Sequence, residues 1–168
     1  MSVPWNVSYK EIVARKAKWG KNRTYSYKKW KKHKKDYDVA CSVAVSYYLQ
    51  AIGCLADGKC FSHTTSSKSK KNTKAKAMYG YKNLKNGKLS PYIGKKVADL
   101  PKKYKVEGAV FVYDSDIGVY TKLNKKWCVL SCNKSGLQTK SKVVHRSGSY
   151  QYTQKVLYVF IPNEVKVK

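Results

Sequence analysis

Between Asp36 and Gly53 the chain reads "DYDVACSVAVSYYLQAIG", a stretch without lysine or arginine in a sequence otherwise crowded with lysine. Drawn as a helix it is apolar on nearly every side, so it belongs inside a core rather than on a surface. Asp38 can cap its start and Gly53 can end it. Counted from Asp38, Cys41 falls at the third helical position, where unpaired backbone N–H groups and the positive end of the helix dipole favour a thiolate. A buried cysteine is also commonly a small inert hydrophobe, and position alone does not separate the two readings.

The second half of the chain supplies something for this helix to pack on. "GAVFVY", "IGVYTKL" and "KWCVLSC" are short β-rich runs separated by "DSD" and "NKK", the pattern of an antiparallel meander, and "KVVHRSG" and "KVLYVFIP" add two further strands. Helices followed by antiparallel strands predict an α+β domain: a C-terminal sheet of about five strands with the core helix on one face. Two more helices are expected. One is a short amphipathic helix near Ser8 to Gly20, with Ser8 and Glu11 in capping-box spacing; the other runs from Asn72 to Tyr79 and closes at Gly80. The passage "NLKNGKLSPYIGKKVADLPKKYK" has repeated turn signals and reads as irregular. A length of 168 residues suits one domain over 1–168, with a basic aromatic-rich tract at 21–35, a polar connection at 61–107 and the strand-rich part at 108–162.

Charge limits the partners. Thirty-six basic residues face nine acidic ones, a formal net charge of +27, and a field of that sign draws a protein to a polyanion: nucleic acid, an anionic membrane surface or an anionic wall polymer. Only Arg15, Arg23 and Arg146 are arginines, so the attraction is diffuse rather than bidentate. An AT-rich genome also enriches lysine, tyrosine and asparagine, so charge alone names no function. The tract "KNRTYSYKKWKKHKK" sets Tyr25, Tyr27 and Trp30 among cations; these rings either stack on single-stranded nucleic acid or sugars, or pack inward beneath a solvated lysine face.

The start "MSVPWNVSYKEIV" lacks the charged-then-apolar layout of a secretory signal, and no stretch approaches a membrane span. A chain made in the cytoplasm is expected, one that needs release by other means if it works outside. The five cysteines are Cys41, Cys54, Cys60, Cys128 and Cys132, and synthesis in a reducing compartment favours free thiols. The spacings Cys54-x5-Cys60 and Cys128-x3-Cys132 do not match common zinc knuckles. No metal or cofactor is expected.

"CSVAVSYYLQAIG" resembles the nucleophile helix of the NlpC/P60 family of papain-like cysteine peptidases, with Cys41, Ser42, Val45, Ser46 and Tyr47 in register. "VEGAVFVYDSDIGVY" resembles the strand pair that follows in that family, through Gly108, Phe111, Ile117, Gly118, Val119 and Tyr120, and "TYSYKKW" offers Tyr25, or else Tyr27, as its active-site tyrosine. The resemblance implies a papain-like fold, Cys41 as nucleophile, and hydrolysis of peptidoglycan amide bonds through an acyl-enzyme, as in phage lysins that act at the wall after release.

The family's histidine position is taken by Asp116, and its third position falls near Cys128 or Val129. Histidine serves as base because its pKa lies near 6.5; an exposed aspartate lies near 3.9, and a carboxylate beside a thiol raises the thiol's pKa. Three outcomes follow. Either His145 or His63 takes over as base, with strand placement favouring His145; or Asp116 acts in protonated form; or the chain is a catalytically altered relative that binds cell wall, a partner or nucleic acid. His33 sits in a lysine run and reads as solvated. A nucleic-acid-binding protein is the alternative of a different class, and it predicts an affinity that falls steeply with salt.

Overall fold

The computed structural model describes residues 24–32, 41–63, 78–113, 117–123, 126–131, 143–145 and 154–163. The predicted helix at Ser8 to Gly20, the Asp38 cap, His33 and Asp116 lie outside them.

The apolar segment is a helix, α2, over Cys41–Ala51, following a shorter α1 over Tyr27–Lys32. Val43, Ala44, Val45, Tyr47, Tyr48 and Leu49 are fully buried, as a helix apolar on every side requires. Gly53 ends it as expected: at φ 83° its N–H reaches Gln50 O (3.2 Å) and the next N–H, of Cys54, reaches Leu49 O (2.7 Å). This double closure satisfies the last helical carbonyls and needs a left-handed residue at its centre.

The lysine-aromatic tract resolves in favour of packing. Ser26 caps α1, its Oγ accepting the Lys29 N–H (3.2 Å) while donating to the Asp57 carboxylate (2.8 Å). The apolar side of α1 then places Tyr27 and Trp30 in the core, with Trp30 stacked on Tyr47 of α2 (ring centroids 5.3 Å) and on Tyr27 (5.9 Å). Lys28, Lys29, Lys31 and Lys32 stay exposed. Tyr27 and Trp30 are therefore closed to bases or sugars, and Tyr25 is the exposed ring of the tract.

The strands are β1 (Ser62–His63), β2 (Met78–Tyr79), β3 (Gly87–Leu89), β4 (Lys95–Lys96), β5 (Val110–Val112), β6 (Ile117–Leu123), β7 (Lys126–Ser131), β8 (Val143–His145), β9 (Lys155–Val156) and β10 (Tyr158–Pro162). Six form one sheet in the order β3-β10-β5-β6-β7-β8, with every neighbouring pair antiparallel. The meander β5-β6-β7 is the one the sequence predicts, the further strand expected in "KVVHRSG" is β8 beside β7, and the protein is α+β. β1–β2 and β4–β9 are separate two-stranded ribbons.

The structure corrects the expected arrangement in four places. Met78–Tyr79 is a strand, β2, and not the end of a helix. Gly80, expected as a helix stop, follows that strand with φ 78°; a Cβ there would lie 2.0 Å from Cys60 O, so the crossing of the two chains requires glycine. The passage read as irregular holds β3, which pairs with β10 as a sheet edge, and β4, together with one-turn helices at Val97–Asp99 and Lys102–Tyr104; a third, Tyr81–Asn83, leads into it. Last, "KVLYVFIP" divides between β9 and β10, and β10 inserts between β3 and β5.

Both faces of the sheet are buried. Val110, Val112, Ile117, Val119, Tyr158 and Phe160 pack toward α2 and α1. The alternate residues Phe111, Tyr120, Val129 and Val159 pack on the other side against Ile93, Val97, Leu100 and Tyr104, as the two-residue period of a strand dictates. The irregular segment thus acts as the second covering layer. Among the described residues no helix is long and apolar enough to cross a membrane.

Candidate active site

Cys41 is the first residue of α2. The first N–H groups of a helix have no partner within the helix, and its dipole presents the positive pole there, a setting that favours a thiolate over a thiol. The rest of α2 is fixed on three sides: by the aromatic stack of α1, by β6 of the sheet and by β1. Tyr48 reaches across to donate to Gly108 O (2.7 Å), locking the helix to the start of β5.

The segment leading into β1 runs along α2 in the opposite direction. At its start, Gln50 Nε2 donates to Lys59 O (2.9 Å). Two residues on, the Phe61 N–H donates to the buried Ser46 Oγ (3.0 Å), while Ser46 Oγ donates to Ser42 O (2.7 Å). Residue 59 is thus level with 50, and 61 with 46. His63 belongs to β1, opposite Met78, and β1 packs against α2.

A polar relay lies on the same flank. The half-buried Cys60 thiol sits beside the hydroxyls of Ser46 and Tyr25; burial pushes the thiol above its ordinary value of 9.0, and the two hydroxyls offset part of that rise. Cys60 is therefore a protonated, unactivated thiol at neutral pH. Tyr25, 37% exposed, is anchored through its own carbonyl, which accepts from Gln50 Nε2, while Gln50 Oε1 accepts the Tyr27 N–H (2.8 Å). The relay Tyr25–Cys60–Ser46–Ser42 O ends one residue from Cys41.

The other sequence candidates are distributed differently. His145 lies in β8 directly opposite Val129, and Val129 belongs to the core on the side away from α2. Val129 cannot supply the polar third group, and Cys128 stands opposite Thr121. Asp116 precedes Ile117, which is buried in the α2-side core. Tyr27, the second tyrosine candidate, is in the aromatic stack. Strand placement in the sequence favours His145 over His63; what speaks for His63 is the run of 59–61 along α2, held by the Gln50 and Ser46 side chains, and that is tertiary.

Among the described residues no three His, Cys, Asp or Glu side chains converge as a metal site would require. Comparison with protein-family models, with curated proteins and with solved structures finds no match to this chain.

Proposed function

We propose that the protein is a cysteine-dependent hydrolase of peptidoglycan amide bonds, with Cys41 as nucleophile and His63 as its base. The observation that supports this reading is the antiparallel run of 59–61 along α2 together with the packing of β1 on that helix; the same direction continued for two residues leads His63 toward the end that carries Cys41. The resemblance of "CSVAVSYYLQAIG" to the NlpC/P60 nucleophile helix and the packing of that buried helix on an antiparallel sheet support it.

In this mechanism His63 accepts the Cys41 proton and Cys41 Sγ attacks the amide carbon. The C–N bond breaks as His63 returns the proton to the leaving amine, and water then hydrolyses the thioester. Tyr25, exposed at the end of the relay, meets the substrate in this reading. The positive field of the chain concentrates it at an anionic wall, where it acts after release from the cell.

Purified sacculi provide the test. Release of peptide fragments is expected from the wild type and none from Cys41→Ser; His63→Ala should lower the rate by about 10²–10⁴-fold, and His145→Ala and Asp116→Asn by less than about tenfold. Fragment release that survives Cys41→Ser contradicts the reading, and a large loss in His145→Ala with none in His63→Ala reassigns the base.

The second reading is a wall-binding relative without hydrolysis, favoured by the aspartate at position 116. It predicts binding to sacculi with no fragments at all. Nucleic-acid binding rests on charge, and the burial of Tyr27 and Trp30 removes two of the rings that would have stacked on bases.

A further inference from the structure

We propose that the β4–β9 ribbon is a docking site for a base-free phosphodiester polymer of the bacterial wall, an inference that rests on the wall-directed reading above. The ribbon is two residues long on each strand, and its register sets Lys96 directly opposite Lys155. Lys95, Lys96 and Lys155 are all exposed. Directly opposed like charges on a ribbon repel across about 5 Å and weaken the pairing. Both lysines persist in a ribbon that is otherwise tightly held: Val156 is fully buried, and the N–H groups of Ile93 and Gly94 donate to Leu157 O (2.8 Å) and Val156 O (2.9 Å). A phosphate seated between two such lysines turns the repulsion into attraction.

The surroundings extend the site. Residues 93–106 carry five lysines and a single carboxylate, Asp99. Lys102 and Lys103 are exposed on the one-turn helix that follows, with Lys103 Nζ over the Tyr104 ring (5.1 Å). Lys105 Nζ is turned away, donating to Ala98 O (3.4 Å).

The chemistry of the patch selects a polymer without bases. Lysines offer point charges to phosphates, whereas base reading uses arginine forks or stacked rings. No arginine lies between 93 and 106 or on β9. The nearest exposed ring, Tyr92, is occupied with its own chain: its hydroxyl lies where a side chain at Gly94 would meet it (2.8 Å), and its ring stands edge-on to Tyr158 (5.7 Å).

Two triple variants remove equal charge and separate this ribbon from the general field: Lys95→Ser/Lys96→Ser/Lys155→Ser and Lys28→Ser/Lys31→Ser/Lys32→Ser. Binding is measured on walls bearing their phosphate polymer, on the same walls stripped of it by acid, on single-stranded DNA and on phosphatidylglycerol vesicles. The ribbon variant should bind intact walls about tenfold more weakly, with a log–log salt slope shallower by about 2, and the α1 variant should stay within about twofold of wild type. Stripping should abolish ribbon-dependent binding. Lys155→Glu sets a carboxylate opposite Lys96 and should raise Tm while weakening wall binding, a combination that damage to the fold does not produce. Equal losses in the two triple variants, undiminished binding to stripped walls, or ribbon-dependent binding that is tighter on DNA or vesicles each overturn the inference. Fragment release is scored in parallel: ribbon-dependent binding without release supports the docking site while removing the hydrolase reading.

Discussion

At Cys60, burial and hydrogen bonding pull the thiol in opposite directions, and burial wins: the group sits above its ordinary 9.0 despite the hydroxyls of Ser46 and Tyr25. The consequence for stability has a definite sign. Below pH 9 the thiol is protonated in folded and unfolded chains alike, and its contribution is fully present. As pH rises past 9.0 the unfolded thiol ionises first, so the unfolded state binds fewer protons and stability falls until the folded value is passed. Thermal melts between pH 8 and 10.5 should therefore decline more steeply for the wild type than for Cys60→Ala; parallel declines would mean that the environment of the thiol does not distinguish the two states. The sequence marks Cys41 as a candidate by its place near the start of an apolar helix, but nothing in it marks Cys60 as inert, because the burial that raises the Cys60 thiol is tertiary. The difference lies in Cys41 starting a helix and Cys60 lying along the flank of that helix.

Among the elements, α2 was the most legible, since an all-round apolar segment with a glycine stop has few other ways to fold. The meander was also legible, because β5, β6 and β7 are β-rich runs set apart in the sequence by "DSD" and "NKK". β3 was not: Gly87, Lys88 and Leu89 carry turn chemistry, and they form a strand because β10 supplies a hydrogen-bonding partner from the far end of the chain. The split of β9 from β10 was hidden for the same reason, since pairing partners and not local propensity divide the run. Of the candidate site, Cys41 and Tyr25 are readings of the chain itself, whereas the run of 59–61 along α2 depends on the Phe61–Ser46 hydrogen bond and could not be read there.

Two glycines offer a quantitative check at this scale. Gly53 has φ 83° with open space around it, whereas Gly80 has φ 78° and Cys60 O would lie 2.0 Å from an added Cβ. Gly53→Ala should cost about 1–2 kcal/mol, the left-handed penalty alone. Gly80→Ala should cost more than that, because backbone must move as well. Denaturant unfolding measures both, and equal costs would show that the contact at Cys60 is relieved without effort.

For the whole molecule, the +27 charge acts both as a means of reaching polyanions and as a load on the fold. Self-repulsion of that size destabilises the compact state, and salt screens it over about 8–10 Å at ionic strengths of 0.1–0.15 M. Raising sodium chloride from about 0.01 to 0.15 M should raise Tm even as it weakens binding to walls; a Tm that falls or stays flat would mean that the lysines are spaced widely enough not to oppose folding. The two covered faces of the sheet fit this picture. The lysines of α1 and of the 93–106 layer lie outside two apolar cores, so the charge stays in water and the interior holds the fold.

The central claim is that Cys41 is an activated nucleophile, and iodoacetamide labelling of the native protein across pH 5.5–10 tests it most directly, with Cys60 as the internal reference. At pH 7 Cys41 should label at least about tenfold faster than Cys60, and His63→Ala should remove much of that advantage. Labelling of Cys41 no faster than Cys60 at neutral pH, with both rising only near pH 9, would contradict the account.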